Sequence, residues 1–496
     1  MAGVSKILIP VKLEDLNEDK ILEYLPQVCQ AFKANQQNIQ AHYKEYCLEQ
    51  NILSKSRLYD SESEINNKIL VPHLAALVDF KTGYAFGNPI QYAQNQSTDT
   101  DDIQYLNKYT NNVHKRTIDK AVGTWVYATG VGYYFIQPVD REINPEWESP
   151  FELYCIDSDS CCKVYSAYLG KKPLFDVLIT YINDYTLDGK TPSVKTIVDV
   201  YTADWFYEFE GDSSCSTFNR VNVQPRAIYK ELPLVEKRAN ESGIGIVEMV
   251  DTIQDALNDT TSNELDNIEE LVNQIFVYKN ANLGDTPEEA AENHKAMVKN
   301  RAIILTTPNG QDYEADLKTL TVSLNLDDVN IFYNTLKQEM YDCVGVPLAS
   351  SAVTSGGDTG SARQLGNGWE NAYNRLLDDI NSFLKSDREL LDKMLVICKK
   401  TPNNKVNELQ SSEIDIKYDP NMTDNMLVKS QSYVNYVEHG VPPQVALAFV
   451  RVTNDPITVG AKIIEWQKEQ EANAEKQVET SDKQAEITIE EKTDIQ

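Results

Sequence analysis

A chain of 496 residues is too long for one hydrophobic core of ordinary size, so several subdomains are expected. With 41% hydrophobic and 25% charged residues it is neither a disordered nor a fibrous chain. Its 46 basic against 76 acidic residues give a net charge of −30. That excludes capture of nucleic acid by a broad basic face, because phosphate neutralisation supplies most of such affinity, while leaving room for nucleic acid that slides past without sticking.

The start, MAGVSKILIPVKLEDLNEDK, turns acidic after a short apolar run and does not read as a signal peptide. No run reaches the ~20 apolar residues of a membrane span. Residues 14–50 read as two helices rich in Gln, Glu and Tyr, and 64–86 as an apolar helix ending near Gly83. Ser97–Asp102 is a polar loop and Asp102–Ala121 a helix. Trp125–Pro138 alternates like a strand or hairpin with glycines at the turn. From Phe151 to Ile228 short β-like runs dominate: FELYCI, KVYSAYL, FDVLITYI, TIVDVYT and DWFYEFE. Their Tyr and Phe fit a packed antiparallel sheet better than a base-stacking surface, since Lys and Arg are not interleaved among them.

After Pro233 the pattern changes. Ile246, Val250, Ile253, Leu257, Leu265, Ile268, Val272 and Ile275 form one apolar stripe over about thirty residues, a rod of roughly 45 Å. Its other face is acidic and amide-rich. Residues 275–320 read as a small α/β insertion: a strand IFVYKN, a helix starting at Thr286-Pro287-Glu288, and a second strand RAIILTT. A second rod follows through Leu326, Val329, Phe332, Leu336 and Met340. Next comes a Gly/Ser/Thr-rich loop, VGVPLASSAVTSGGDTGSAR (344–363), in which Pro347 stops the helix and Gly356-Gly357 frees the backbone. Asp358 or Thr359 caps the longest helix, about Ser361 to Lys400, with Leu365, Trp369, Ala372, Leu376, Ile380 and Phe383 in register. A strand pattern EIDIKYDP, short helices across 421–470 and a Glu/Gln/Lys-rich tail complete the chain.

Chemistry is sparse. Neither GVGYYF nor SGGDTGSAR is a phosphate loop, because no lysine follows the glycines, and SGIGIVE lacks dinucleotide-binding spacing. The five histidines are scattered without partners at catalytic spacing. The eight cysteines form no CxxC pair and read as structural thiols of a reducing compartment. No enzyme, cofactor or metal site is expected.

Four stretches, in this order, resemble the portal proteins of long-tailed double-stranded DNA bacteriophages. They are NNKILVPHLAALVDFKTGYAFGNPIQY (66–92), AVGTWVYATGVGYYFI (121–136), SGIGIVEMVDTIQDALNDTTSN (242–263), and VGVP followed by GGDTGSARQLGNGWENAY (344–373). They span about residues 60–400, and their order is more specific than any one of them. The resemblance implies an α+β portal fold assembled as a ring. Residues 1–240 would be an α/β wing, 241–274 the first stem helix, 275–322 a small α/β clip and 323–344 the second stem helix. Residues 345–361 would be the tunnel loop, 362–420 the long helix and return to the wing, 421–468 a helical crown and 469–496 a polar, acidic tail.

On that resemblance the tunnel loop would put Val346, Pro347, Ser350, Ser351, Thr354, Ser355, Gly356, Gly357, Asp358 and Thr359 along a DNA channel. Ile246, Val250, Ile253, Leu257, Leu265, Ile268, Leu336 and Met340 would pack the stem and neighbouring subunits. The implied partners are about eleven further copies of the chain, terminase, major capsid or scaffolding protein, a head-tail adaptor, and double-stranded DNA held without specificity. The implied location is the portal vertex of the virion, with assembly in the host cytoplasm and no membrane. The alternative is a non-enzymatic helical scaffolding or adaptor protein of the virion.

Overall fold

The computed structural model describes residues 3–56, 65–94, 101–140, 147–184, 193–212, 215–226, 229–272, 275–279, 283–300, 316–320, 326–348, 369–402, 404–420, 426–450 and 459–470. In chain order, β1 (Ile7–Ile9) and α1 (Glu18–Tyr46) precede α2 (His73–Phe86), β2 (Gln91–Gln94), α3 (Asp101–Asn112) and α4 (Lys115–Thr129). Strands follow as β3 (Val131–Pro138), β4 (Phe151–Ile156), β5 (Cys161–Ser166), β6 (Pro173–Asp184), β7 (Ser193–Tyr201), β8 (Trp205–Gly211), β9 (Phe218–Pro225) and β10 (Leu234–Arg238). Then come α5 (Ile246–Val272), β11 (Ile275–Lys279), α6 (Pro287–Asn300), β12 (Asp316–Leu320) and α7 (Leu326–Val344). The chain continues with α8 (Trp369–Lys400), β13 (Ile414–Lys417), α9 (Met426–Glu438), α10 (Pro443–Val450) and a helical stretch α11 over 459–470. This is an α+β protein, and it divides into two units.

The first unit comprises Met1–Cys47, His73–Val250 and Tyr341–Gln496. Its main sheet has the order β1-β5-β6-β7-β8-β9, antiparallel except for the β1–β5 pair. The expected period of two is plain in β7 and β8: Val198, Val200, Tyr207 and Phe209 are buried, and their chain neighbours are only partly covered. That face packs on α1 through Ile21, Leu25, Val28 and Phe32. Each such fully buried side chain contributes about 1.5–3 kcal/mol of transfer free energy.

The stretch 14–50 therefore holds one long α-helix, Glu18–Tyr46, not two. Its buried stripe runs unbroken past Pro26, and contact with the sheet outweighs the lost backbone hydrogen bond there. Asn17 caps it, the side-chain oxygen accepting from the Lys20 N–H at 2.9 Å.

Trp125–Thr129 is the end of helix α4, not the start of a hairpin. Gly130 (φ +91°) terminates the helix, its N–H donating to Val126 O at 2.9 Å, and the strand begins at Val131. A Cβ on Gly130 would come within 2.2 Å of Gly243 O, so the two glycine-containing stretches 121–136 and 242–263 meet there. The predicted helix over 102–121 is broken at His114 (φ +53°) into α3 and α4. β3 forms a second sheet in the order β10-β3-β4, and β13 pairs with β2. The edge strand β9 has no fully buried residue, which is why no apolar pattern announced it.

The second unit comprises Leu48–Pro72 and Asp251–Met340. Residues 65–71 are extended, not helical. Pro72 disfavours helical backbone at the residue before it, and α5 supplies the partners that a helix would have supplied. Asn67 N–H donates to Asp266 Oδ1 (2.8 Å), Ile69 N–H to Ser262 Oγ (2.9 Å) and Val71 N–H to Asn258 Oδ1 (2.9 Å). Gln254 Nε2 donates to Val71 O at 2.6 Å.

The small α/β insertion contains α6, with Thr286 Oγ1 accepting from the Glu289 N–H at 3.2 Å. The strand pairing β11 is Asp316–Leu320, in antiparallel register. The predicted strand RAIILTT lies outside the described residues.

Candidate functional site

The structure describes the Gly/Ser/Thr-rich loop up to residue 348 and the chain again from Trp369. Of the candidate channel residues, Val346 is buried and Pro347 half-buried, while Ser350, Ser351, Thr354, Ser355, Gly356, Gly357, Asp358 and Thr359 lie outside the described residues. What can be built is the mounting at both ends.

Upstream, α7 stops at Gly345 (φ +74°), before Pro347 is reached. Val346 N–H donates to Tyr341 O (3.0 Å) and Gly345 N–H to Asp342 O (3.1 Å), the paired bonds of a Schellman cap. Arg375 on α8 donates from Nη1 to Cys343 O at 3.1 Å. Its side chain lies where a Cβ on residue 345 would need to be, 2.4 Å from Arg375 Cδ. The Tyr341 hydroxyl lies 3.4 Å from His73 Nδ1, with the two rings edge to face at 5.8 Å. Downstream, Trp369 packs on Phe80 (5.8 Å) and Tyr84 (6.2 Å). One helix, α2, thus meets the chain on both sides of the loop.

Helix α8 is fixed by acids that each meet a lysine from elsewhere in the unit. Lys81 pairs with Asp379 at 2.8 Å, and the Tyr127 hydroxyl donates to the same carboxylate at 3.1 Å. Lys163 pairs with Glu389 at 2.9 Å, and Lys393 approaches that carboxylate at 3.4 Å. Burial resists the Glu389 charge, but the two ammonium groups outweigh it and hold this carboxyl below its usual range.

Deepest is Lys237, fully buried, 2.7 Å from Asp387 and 3.0 Å from the Tyr418 hydroxyl. The hydroxyl donates in turn to Asp387 Oδ2 at 2.5 Å. The ammonium also faces the rings of Phe383 (4.8 Å), Phe86 (5.2 Å), Tyr134 (5.6 Å) and Tyr418 (5.7 Å). Burial still lowers the Lys237 pKa against the pull of Asp387 and Asp119.

Among the rod residues, Ile246, Val250, Leu257 and Met340 are buried within the chain. Ile253, Leu265 and Leu336 are half-buried, and Ile268 is 43% exposed. The acidic and amide-rich face of α5 is itself partly buried: Gln254, Asn258, Ser262 and Asp266 recur every fourth residue and are all covered. On α7, Ile331 and Phe332 are 65% and 55% exposed.

Burial raises the Cys161 and Cys162 thiols well above the ordinary range and pushes Cys29, Cys155 and Cys398 up to about 12. Those thiols are poor nucleophiles at neutral pH. Among the described residues no group of three or more His, Cys, Asp or Glu could hold a metal ion, and no helix is long and apolar enough to cross a membrane.

Sequence reasoning missed Gly345 as the helix stop, although a glycine just after the last periodic residue is the usual signal. It also missed Arg375, His73 and the lysines under α8, which have no local signal. The four family-like stretches converge in space: 66–92 supplies α2, 121–136 and 242–263 meet at Gly130 and Gly243, and 344–373 carries Gly345 and Trp369. A family model described as phage portal protein, SPP1 Gp6-like, matches residues 27–476. No curated protein matches the chain.

Proposed function

The chain belongs to the SPP1 Gp6-like family of phage portal proteins, and from that premise we propose that its copies close into a ring of about twelve at one vertex of the capsid. The ring passes double-stranded DNA inward during packaging and outward at ejection. It docks terminase while the head fills, and a head-tail adaptor afterwards. Major capsid or scaffolding protein meets it at the vertex. The family is a structural, non-enzymatic one, and the ring acts as channel and docking platform while chemistry is left to its partners. In this reading residues 1–240 form the wing, 275–322 the clip and 421–468 the crown, and the loop 345–361 faces DNA in the channel.

The match over residues 27–476 carries the proposal. The charge balance supports it, since walls of net negative charge repel DNA weakly and let it slide. A closed ring needs two different surfaces per subunit. Ile268 on α5 and Ile331 and Phe332 on α7 are exposed apolar residues that a neighbouring copy could cover.

The test is native mass spectrometry with negative-stain imaging of the full chain, alone and co-expressed with its capsid and scaffolding proteins. A ring with a central hole is expected, with a mass near twelve times 56.1 kDa. Monomers or dimers alone under both conditions would sink the proposal.

A further inference from the structure

In a chain with far more acids than bases, one cavity reverses the balance. It encloses about 610 Å³ and is lined by six cations, Lys6, Lys163, Lys171, Lys172, Arg238 and Lys385, against three carboxylates. The carboxylates are already engaged: Glu389 with Lys163 (2.9 Å), Glu236 with Arg238 (2.9 Å) and Glu241 with Lys6 (3.6 Å). Lys171, Lys172 and Lys385 are exposed and, among the described residues, carry no ion pair. Three uncompensated ammonium groups around one cavity repel each other unless an anion sits between them.

The local backbone holds two of these lysines in place. Lys171 N–H donates to Tyr168 O at 3.0 Å, and Ser166 N–H donates to Lys172 O at 2.8 Å. Lys171 itself sits at φ +43°, a left-handed conformation that costs an L side chain energy. Ser382 and Asn240 add neutral polar groups to the wall.

We propose that this cavity is an oxyanion site for phosphate groups, in the form of the phosphodiester backbone of DNA or a free phosphate. An acidic peptide is the weaker fit. Peptide grooves work through apolar anchors, and this lining contains no Leu, Ile, Val, Met, Phe or Trp. Its one aromatic ring is Tyr165, whose hydroxyl is already bonded to Glu236. The site goes beyond the channel reading and stands on its own lining, so failure of one does not carry the other.

The experiment uses the full chain and the double variant K172E/K385E, with two probes. In the first arm, inorganic phosphate is titrated at constant ionic strength, and acetylation of lysines is followed by mass spectrometry. Phosphate is expected to protect Lys171, Lys172 and Lys385 in the wild type and to lose its protection of Lys171 in the variant. In the second arm, a labelled ~30-base-pair duplex is titrated by anisotropy between 50 and 200 mM salt.

Each phosphate contact is worth about 3–4-fold over that salt range, so three contacts give a loss of ~40-fold in the wild type and ~4-fold in the variant. Protection by phosphate together with that salt dependence assigns the site to DNA. Protection without duplex binding assigns it to a free phosphate. Absence of protection, or equal behaviour of wild type and variant in both arms, overturns the proposal, as does a polyglutamate peptide that protects the lysines better than phosphate.

Discussion

Replacing Lys237 with methionine separates two accounts of how α8 is held. The ammonium sits 2.7 Å from Asp387 in a fully buried site. If it is removed alone, Asp387 keeps only the Tyr418 hydroxyl as partner. An uncompensated buried carboxylate costs about 3–5 kcal/mol, and loss of the cation–ring contacts adds ~0.5–2 kcal/mol. The Lys237 pKa is lowered, however, so burial penalises the charged lysine more than Asp387 and Asp119 reward it. It follows that an apolar filling of similar volume should do no worse than the ion pair. The double variant K237M/D387L leaves only the neutral Tyr418 hydroxyl without its partners, at about 1–3 kcal/mol, and is therefore expected to fall short of wild type by no more than that. Urea unfolding followed by tryptophan fluorescence reads both variants, since Trp125 and Trp369 lie in the same unit. A K237M loss under ~1 kcal/mol, or a double variant as unstable as the single, would refute the account of a penalised pair.

Three further outcomes are expected. Gly345→Ala forces a Cβ onto a left-handed residue and against Arg375, so it should cost about 1–2 kcal/mol; denaturant midpoints check it, and an unchanged midpoint would remove the glycine cap from the argument. Asn258→Leu leaves the Val71 N–H without its acceptor, at about 1–3 kcal/mol, and removes the donor to the Gln50 side-chain Oε1. Hydrogen exchange should quicken at the Val71 amide, and unchanged exchange there would contradict the ladder along α5. Burial pushes Asp176 up to about 6 against the opposing pull of Lys163 and the Leu234 N–H. Between pH ~4 and ~6 the folded carboxyl keeps a proton that the unfolded one has lost, so stability from this group falls as pH rises, by ~3 kcal/mol in all. Asp176→Asn retains the acceptor for Leu234 and should flatten that part of the stability–pH curve; parallel curves for variant and wild type would rule the group out.

The parts of the fold that were legible in the sequence are those where one residue type repeats at one spacing. The runs TIVDVYT and DWFYEFE read as strands and are found in β7 and β8, and Ala372, Leu376 and Phe383, which recur in helical register, are buried on α8. The failures have different causes. Trp125–Thr129 is rich in residues that favour strands, but Gly130 serves as a helix cap, and glycine spacing does not distinguish a cap from a hairpin turn. The lysines beneath α8 look like surface residues, and Lys81 meets Asp379 across 298 positions, a separation that no local pattern encodes. The mounting of the loop was half visible: Gly345 stood in the sequence, but the Arg375 side chain that fills the space beside it did not announce itself.

The segment 65–71 shows why period can mislead even where it is present. Its apolar residues suggested a helix, but the backbone runs extended along α5, with alternate residues 67, 69 and 71 bonded to every fourth helix residue, 266, 262 and 258. Two residues of extended chain advance about 6.6 Å and four of helix about 6 Å, so the two repeats stay in step over three contacts. That match requires short polar side chains at Asn258, Ser262 and Asp266, and it consumes part of what read as a solvated acidic face. Asp255 and Asp259 are engaged as well, by Asn51 and Lys55 of the preceding segment. Asp255, Asp259 and Asp266 are therefore turned to their own chain. In the proposed ring, the residues left for a neighbouring copy include the exposed apolar ones, Ile268 on α5 with Ile331 and Phe332 on α7.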